Sequence, residues 1–243
     1  MLCTEYGAFD VTCIGEVTPI EEVGLVACNG IDDNCDGVAD TASQEKLNLI
    51  FAFDVSGSMI EEFPYVTAAI VETAPHYNSE NVQLGLIVFP GEREGADRHL
   101  PYEIIPLAPY DTFVIHLEIL DGLLQVLNSG YGGTQECSWD IPQTIVDGLV
   151  VQQPDTAPLY DSSARTVIVL FTDEPGQSYL PDENTEESMC VLLDETGVLL
   201  YTVTTSLYSR DYDNCGVVLE LTSNAIQTAQ QLAGITATVC QAL

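Results

Sequence analysis

Long apolar runs that alternate with amphipathic stretches constrain the fold of this chain more than any other feature of its sequence. Runs of this length, without a polar residue at every second position, are typical of strands buried on both faces of a sheet. They span residues 47–53, 82–89, 165–171 and 198–204. Helices are expected around them, near residues 60–74, 111–127, 141–152, 185–196 and 223–233. Because alternating strands and helices are joined by right-handed crossovers, this order predicts an α/β fold with a doubly wound, mostly parallel sheet.

Two further segments complete the predicted architecture. The stretch at 100–107 contains Pro101 and Pro106, and proline lacks the N–H group that an inner strand needs, so this stretch predicts an antiparallel edge strand. Residues 1–46 carry four of the eight cysteines, together with glycines and acidic turn residues, and they lack helical periodicity. We therefore expect an irregular, cysteine-rich arm at residues 1–46 and an α/β domain flanked by helices at residues 47–243.

The cysteines indicate an oxidising compartment. Their number is even and no pair has the C-x-x-C spacing of zinc sites, which favours disulfides in a secreted or surface protein. Proximity along the chain suggests the pairs Cys28–Cys35 and Cys190–Cys215, with the full connectivity left open. The first residues show neither a basic nor an apolar segment, so no signal peptide is visible. We expect a mature fragment with an extracellular or cell-surface location.

The charge of the chain limits its partners. The sequence has 38 acidic residues against 5 basic ones, which gives a formal net charge of −33. Such a surface repels phosphate backbones and anionic lipid headgroups, so nucleic acids and membranes are poor candidates. The apolar runs of the sequence are also too short to span a bilayer. Dissolved divalent cations are the natural partners of this composition.

Small oxygen ligands follow two of the predicted strands and also lie in a glycine-rich loop between them. Asp54, Ser56 and Ser58 leave the first strand, Asp173 leaves a later one, and Thr134 lies in the loop SGYGGTQ. In an open α/β sheet, ligands bind in the crevice beyond the carboxyl ends of the strands. Carboxylates and hydroxyls suit Mg²⁺, which takes oxygen ligands in octahedral geometry and keeps several waters. The pattern predicts a metal site there, the alternative being a hydrogen-bonded turn without an ion.

At these residues the sequence resembles a von Willebrand factor A (VWA) domain with its metal-ion-dependent adhesion site (MIDAS). The pattern of that family is D-x-S-x-S followed by a distant threonine and a distant aspartate, and it is matched by Asp54, Ser56, Ser58, Thr134 and Asp173. The resemblance implies Mg²⁺ or Mn²⁺ at the top of the sheet and recognition of a partner's carboxylate. It also implies that the serines bind the metal directly, that Asp54 acts largely through water, and that Thr134 and Asp173 exchange direct and water-mediated roles.

A second candidate metal site lies in the arm. The stretch CNGIDDNCDGVAD places side-chain oxygens at Asp32, Asn34, Asp36 and Asp40, and its glycine permits the sharp turn of a calcium loop. The twelfth position of this loop holds serine instead of the glutamate of an EF-hand. The stretch resembles cysteine-framed metal-binding motifs of bacterial extracellular proteins and, more loosely, thrombospondin type 3 repeats. That resemblance implies Ca²⁺, and we expect the ion to have a structural role, fixing the arm on the main domain. The alternative is a run of Asx-turns without an ion.

Three functions are compatible with these features. The first is a metal-dependent binding or adhesion module that engages a carboxylate of a protein or glycoconjugate. The second is a structural, calcium-rigidified component of a surface assembly, in which the metal sites only stabilise the fold. The third is a hydrolase, and it is disfavoured because Ser56 is not in a G-x-S-x-G turn and no histidine follows Asp173. We therefore expect a protein that is not an enzyme.

Overall fold

The protein, seen here in a computed structural model, is described at residues 46–73, 82–89, 101–117, 137–150, 155–178 and 184–241. Within these ranges it forms six strands, which are β1 (Lys46–Asp54), β2 (Val82–Phe89), β3 (Tyr102–Ala108), β4 (Ala164–Phe171), β5 (Leu199–Thr204) and β6 (Val217–Glu220). They make one sheet in the spatial order β3-β2-β1-β4-β5-β6. Neighbouring strands are parallel except β2 and β3, which are antiparallel. The predicted α/β fold with a mostly parallel sheet and one antiparallel edge strand is confirmed.

Helices cover both faces of the sheet. They are α1 (Phe63–Thr73), α2 (110–117), α3 (Asp140–Val146), α4 (Glu186–Thr196) and α5 (Ala225–Gln241). Helices α1 and α5 contact each other and pack on one face, whereas α3 and α4 contact each other and pack on the opposite face. The sheet is therefore doubly wound, as the alternation of strands and helices predicts.

The central strand β1 shows why the first apolar run is continuous. Its residues alternate between two cores, because successive side chains of a strand point to opposite faces. Leu49, Phe51 and Phe53 pack in the core that includes α1 and α5, whereas Ile50 and Ala52 pack in the core that includes α3 and α4. Each fully buried large side chain stabilises the fold by about 1.5–3 kcal/mol. A strand between two cores thus needs an apolar residue at almost every position.

Helix α3 is shorter than the sequence predicts. It ends at Val146 rather than near 152, because Gly148 has a left-handed backbone with φ of 66°. The N–H of Leu149 then donates to the carbonyl of Thr144 at 2.8 Å, which satisfies a carbonyl that the helix leaves open. This is a Schellman motif. The expectation was wrong because Gly148 stands in an otherwise helical pattern.

Other element bounds also differ from the expectation. Strand β6 was not predicted, because its apolar run at 217–219 is only three residues long, and all four of its residues are exposed or half-buried. Helix α5 continues to Gln241 rather than ending near 233. Helix α1 begins at Phe63 rather than near 60, because Ser58–Ile60 forms a short 3-10 turn first.

The predicted disulfide Cys190–Cys215 is confirmed, and it joins α4 to the segment before β6. The pair Cys28–Cys35 lies outside the described residues, as does the arm up to residue 45. Strand β1 begins at Lys46, and the division into arm and domain stays a prediction. None of the helices within the described ranges has the length and hydropathy of a transmembrane span.

Candidate metal centre

The centre lies where β1 and β4 end side by side. These strands are parallel neighbours, with Phe53 opposite Phe171, so the residues that follow each strand emerge at the same edge of the sheet. Asp54 and Ser56 are almost completely buried there, whereas Ser58 is exposed. The centre therefore has a buried base and an exposed mouth.

The carboxylate of Asp54 forms the base. Its Oδ1 accepts a hydrogen bond from the backbone N–H of Ser56 at 2.8 Å, and its Oδ2 accepts one from the hydroxyl of Thr172 at 2.8 Å. Burial raises the pKa of Asp54 from 3.8 to about 7, the hydrogen bonds from Ser56 and Thr172 oppose this rise, and nearby Asp173 adds to it. Burial thus disfavours the charged form of Asp54, and a bound cation would relieve that cost.

A chain of three side-chain oxygens leads from the base to the mouth. The hydroxyl oxygen of Ser56 lies 2.9 Å from that of Ser58, and the hydroxyl of Ser58 donates to Oδ1 of Asp173 at 2.9 Å. Burial raises the pKa of Asp173, although the bond from Ser58 lowers it. Two loops that are far apart in the sequence thereby form one hydrogen-bonded chain of hydroxyl and carboxylate oxygens.

These oxygens fit a hard divalent cation. Magnesium holds its ligands at about 2.0–2.1 Å in an octahedron, so adjacent ligand oxygens lie about 2.9 Å apart. The two oxygen–oxygen distances of 2.9 Å match this spacing, and they are also the lengths of ordinary hydrogen bonds. Ser56, Ser58 and Asp173 would hold the ion directly, and Asp54 would stand behind Ser56. Within the described part of the chain, no three His, Cys, Asp or Glu side chains are grouped to hold a metal; this centre combines carboxylates with hydroxyls instead.

Not every predicted ligand can be placed. The structure brings together Asp54, Ser56, Ser58 and Asp173, which the sequence predicted for the first site. Its fifth ligand, Thr134, lies outside the described residues. The same holds for the whole second site, at Asp32, Asn34, Asp36 and Asp40. These residues stay predictions.

Two residues of the centre were missed by the sequence analysis. Thr172 is completely buried and donates to Asp54, and its only signal was its position between a strand and Asp173. Glu62 has a buried Oε2 atom that accepts no hydrogen bond from the described residues. Burial raises the pKa of Glu62, and the charge of Asp173 raises it further. Glu62 thus adds negative charge beside the ligands, four residues after Ser58.

Glu174 adds to the same acidic surroundings. It is half-buried, and its backbone N–H donates to the hydroxyl of Thr172 at 3.2 Å. Burial raises its pKa, and the charge of Asp173 raises it as well. The mouth of the centre therefore carries more negative charge than its direct ligands supply.

Comparison with known proteins informs the fold alone. No family model and no curated protein matches the chain. Two structures of proximal thread matrix protein 1 from the mussel byssus are similar to it, with TM-scores of 0.54 and 0.51 and identities of 12% and 14%. The aligned parts cover 79% and 81% of this chain, but only 46% and 48% of that protein. The chain thus spans less than half the length of its structural neighbour, and the shared architecture is a VWA-like α/β fold.

Proposed function

We propose that this chain is an extracellular, metal-dependent binding module that engages an acidic group of a protein or glycoconjugate partner. The observation that carries the proposal is the run of oxygens from Ser56 through Ser58 to Asp173, with spacings of 2.9 Å. Thr134 is the proposed fifth ligand. A Mg²⁺ or Mn²⁺ ion bound there would supply a positive, Lewis-acidic point at the surface. Because Ser58 is exposed, a partner's carboxylate can approach that point.

The chain's own residues prepare the site for such a partner. Asp54 holds the backbone of Ser56 through its N–H, and Thr172 holds the second oxygen of Asp54. The two serines contribute neutral hydroxyls, so much of the ion's charge remains available to a partner. At physiological ionic strength the repulsion from the acidic surface is screened beyond about 8 Å. Close contact at the cation can therefore overcome the net charge of −33.

A second candidate is a structural component of an extracellular assembly. The specific observation that favours it is the fold shared with a protein whose name describes a thread matrix, together with the Cys190–Cys215 crosslink. In that case the metal centre, and the proposed Ca²⁺ loop at 32–40, would stiffen the chain without a partner. Catalysis stays the least supported proposal, since no histidine follows Asp173 in the sequence.

The first test measures metal binding. Chelator-treated protein is titrated with Mg²⁺ by calorimetry, and the variant Ser58→Ala is compared with Ser163→Ala. Both serine hydroxyls are exposed and donate to an aspartate, Ser58 to Asp173 and Ser163 to Asp161. We expect Ser58→Ala to weaken Mg²⁺ binding by about ten- to a hundredfold and Ser163→Ala to leave it unchanged. A wild-type protein that binds no Mg²⁺ would contradict the proposal.

The second test separates the two candidates. Synthetic peptides that contain Asp or Glu are immobilised beside peptides with Asn or Gln at the same positions, and capture of the protein is measured in Mg²⁺ and in EDTA. A binding module is captured by the acidic peptides only, and only in Mg²⁺. Equal capture under all conditions, in a protein that does bind Mg²⁺, would favour the structural candidate.

A further inference from the structure

The loop that carries Asp173 is hydrogen-bonded to the segment that follows β5, the strand beside β4. We call residues 172–178 the site loop. The hydroxyl of Tyr212 donates to the carbonyl of Glu174 at 3.4 Å, and the N–H of Gly176 donates to Oδ2 of Asp211 at 3.0 Å. Both hydrogen bonds are made to backbone atoms of the site loop shortly after Asp173. The 211–212 segment therefore limits where that carboxylate can lie.

The segment before α3 holds the same loop from another direction. The N–H of Trp139 donates to the carbonyl of Gln177 at 3.0 Å, and its indole Nε1–H donates to the carbonyl of Asp211 at 3.2 Å. The hydroxyl oxygens of Ser138 and Tyr212 lie 2.8 Å apart, and both residues are completely buried. We call residues 138–139 and 211–212 the clamp, because its two halves bond to each other and to the site loop.

Packing reinforces the hydrogen bonds of the clamp. Gly176 lies so close to the indole of Trp139 that a Cβ atom at position 176 would overlap the ring. Only glycine fits there without displacing either the site loop or Trp139. The position of the site loop is thus set by contact as well as by hydrogen bonds.

The clamp is itself anchored. The disulfide Cys190–Cys215 joins the end of the 209–215 segment to α4, and Asn214 donates to Oε1 of Glu186 at 2.7 Å. Tyr212 also lies in the core that includes α3 and α4. Movement of the clamp therefore requires movement of a crosslinked and buried part of the fold.

We propose that Trp139, Asp211 and Tyr212 are positioning residues for the metal centre, and that they set its affinity for Mg²⁺ by holding the site loop, although none of them is a ligand. The inference rests on the proposed function. Pre-organised ligands bind a metal more tightly because less conformational freedom is lost on binding. Residues that orient ligands commonly change metal affinity by about ten- to a hundredfold when they are removed.

The decisive variant is Tyr212→Phe, which removes one hydroxyl and keeps the buried ring. Its matched control is Tyr160→Phe, because the hydroxyl of Tyr160 also donates to a backbone carbonyl, that of Thr196 at 3.5 Å, and residue 160 precedes β4 at the opposite edge of the sheet. We expect Tyr212→Phe to weaken Mg²⁺ binding by about three- to tenfold. In EDTA, hydrogen exchange at the Gly176 amide is expected to quicken. Tyr160→Phe is expected to change neither quantity.

A steric variant tests the same inference independently. Gly176→Ala is expected to weaken Mg²⁺ binding by about tenfold or more, since the loop must move away from Trp139. Its control is Gly234→Ala, because a Cβ there meets nothing within 4 Å. Far-ultraviolet circular dichroism and unfolding midpoints confirm that each variant is folded under the titration conditions.

The outcomes separate this inference from the proposed function. If the wild type binds Mg²⁺ and Tyr212→Phe matches it in affinity and in Gly176 exchange, the clamp does not position the ligands and the inference is overturned. The proposed function then still stands. If the wild type binds no Mg²⁺, the proposed function fails and the inference fails with it.

Discussion

Two turns of this protein have the same local design and opposite electrostatics. In residues 54–56 the backbone N–H of Ser56 donates to Oδ1 of Asp54 at 2.8 Å, and in residues 161–163 that of Ser163 donates to Oδ1 of Asp161 at 2.9 Å. The first turn is buried at the carboxyl end of β1, and the second is exposed at the start of β4. Burial raises the pKa of Asp54, whereas the bonds from Ser163 lower that of Asp161. The sequence thus determines the turn, and tertiary burial determines its chemistry.

The two turns also differ in the hydrogen-bond partner of the second aspartate oxygen, Oδ2 of Asp54 or of Asp161. Oδ2 of Asp54 accepts from Thr172, and the hydroxyl of Ser56, which also bonds to Asp54, lies 2.9 Å from that of Ser58. Oδ2 of Asp161 instead accepts from the hydroxyl of its own Ser163 at 2.7 Å. The first turn is therefore also hydrogen-bonded to Thr172 and Ser58, which lie outside it, whereas Oδ2 of Asp161 is bonded within its own turn.

The largest expected effect is on Mg²⁺ affinity, when the carboxylate of Asp54 is removed and compared with removal of the carboxylate of Asp161. Asp54→Ala is expected to weaken Mg²⁺ binding by about a hundredfold, because Ser56 loses the acceptor that orients it. Asp161→Ala is expected to leave the affinity unchanged. Calorimetric titration of both variants measures this difference. Equal affinities would show that the two turns do not differ in function.

The pH dependence of stability distinguishes the two turns in chelated protein. The pKa of Asp54 is about 7 in the folded protein and 3.8 as its ordinary value, so the folded state binds a proton that the unfolded state releases. Its contribution to stability is complete below about pH 4 and is lost as the pH rises through about 7. We expect the melting temperature in EDTA to fall across this window by several degrees, and Asp54→Asn to flatten the fall.

Asp161 contributes to stability with the opposite pH dependence, because its pKa is lowered. Its contribution is present above its unfolded pKa and is lost only as the pH falls through the folded value. Asp161→Asn should therefore leave the slope between pH 4 and 7 as it is. Saturating Mg²⁺ should reduce that slope in the wild type, because the ion competes with the proton for the same centre. A residual slope in Asp54→Asn is expected from Asp173, Glu62 and Glu174, whose pKa values burial also raises. A slope equal to that of the wild type would contradict the role of Asp54.

A smaller effect is expected at Thr172. Thr172→Val keeps the volume but removes the hydroxyl that donates to Asp54, which should lower the free energy of unfolding by about 1–2 kcal/mol. The control is Thr166→Val in β4, since the buried hydroxyl of Thr166 has no hydrogen-bond partner among the described residues. That variant should be neutral or stabilising. Urea denaturation of both variants gives the comparison, and equal losses would contradict the role of Thr172.

The smallest effect is expected at Ser163. Its hydroxyl is exposed and donates to an exposed carboxylate, so Ser163→Ala should change the free energy of unfolding by no more than about 0.5 kcal/mol. Urea denaturation measures this as well. A loss above about 1 kcal/mol would show that the exposed turn is as coupled to the fold as the buried one.

The sequence predicted those features that depend on a repeated local pattern. The apolar run of β1 could be predicted because both faces of that strand are buried, and the candidate site residues Asp54 and Asp173 could be predicted because each comes at or just after the end of such a run. Strand β6 has only a three-residue apolar run at 217–219, and none of its four residues is fully buried. The role of Thr172 depends on Asp54, 118 residues away in the chain. Such long-range pairs have no local signal.

Among the described residues, the two edge strands of the sheet are poor templates for the addition of a further strand. Strand β3 contains Pro106, and its pairing with β2 changes register between Leu84 and Leu86 and again before Ile87. Strand β6 has only four residues. Short or irregular edge strands resist edge-to-edge aggregation. Where many copies of this chain are crowded together, we therefore expect any contacts between them to use side chains and ions rather than backbone hydrogen bonds between edge strands.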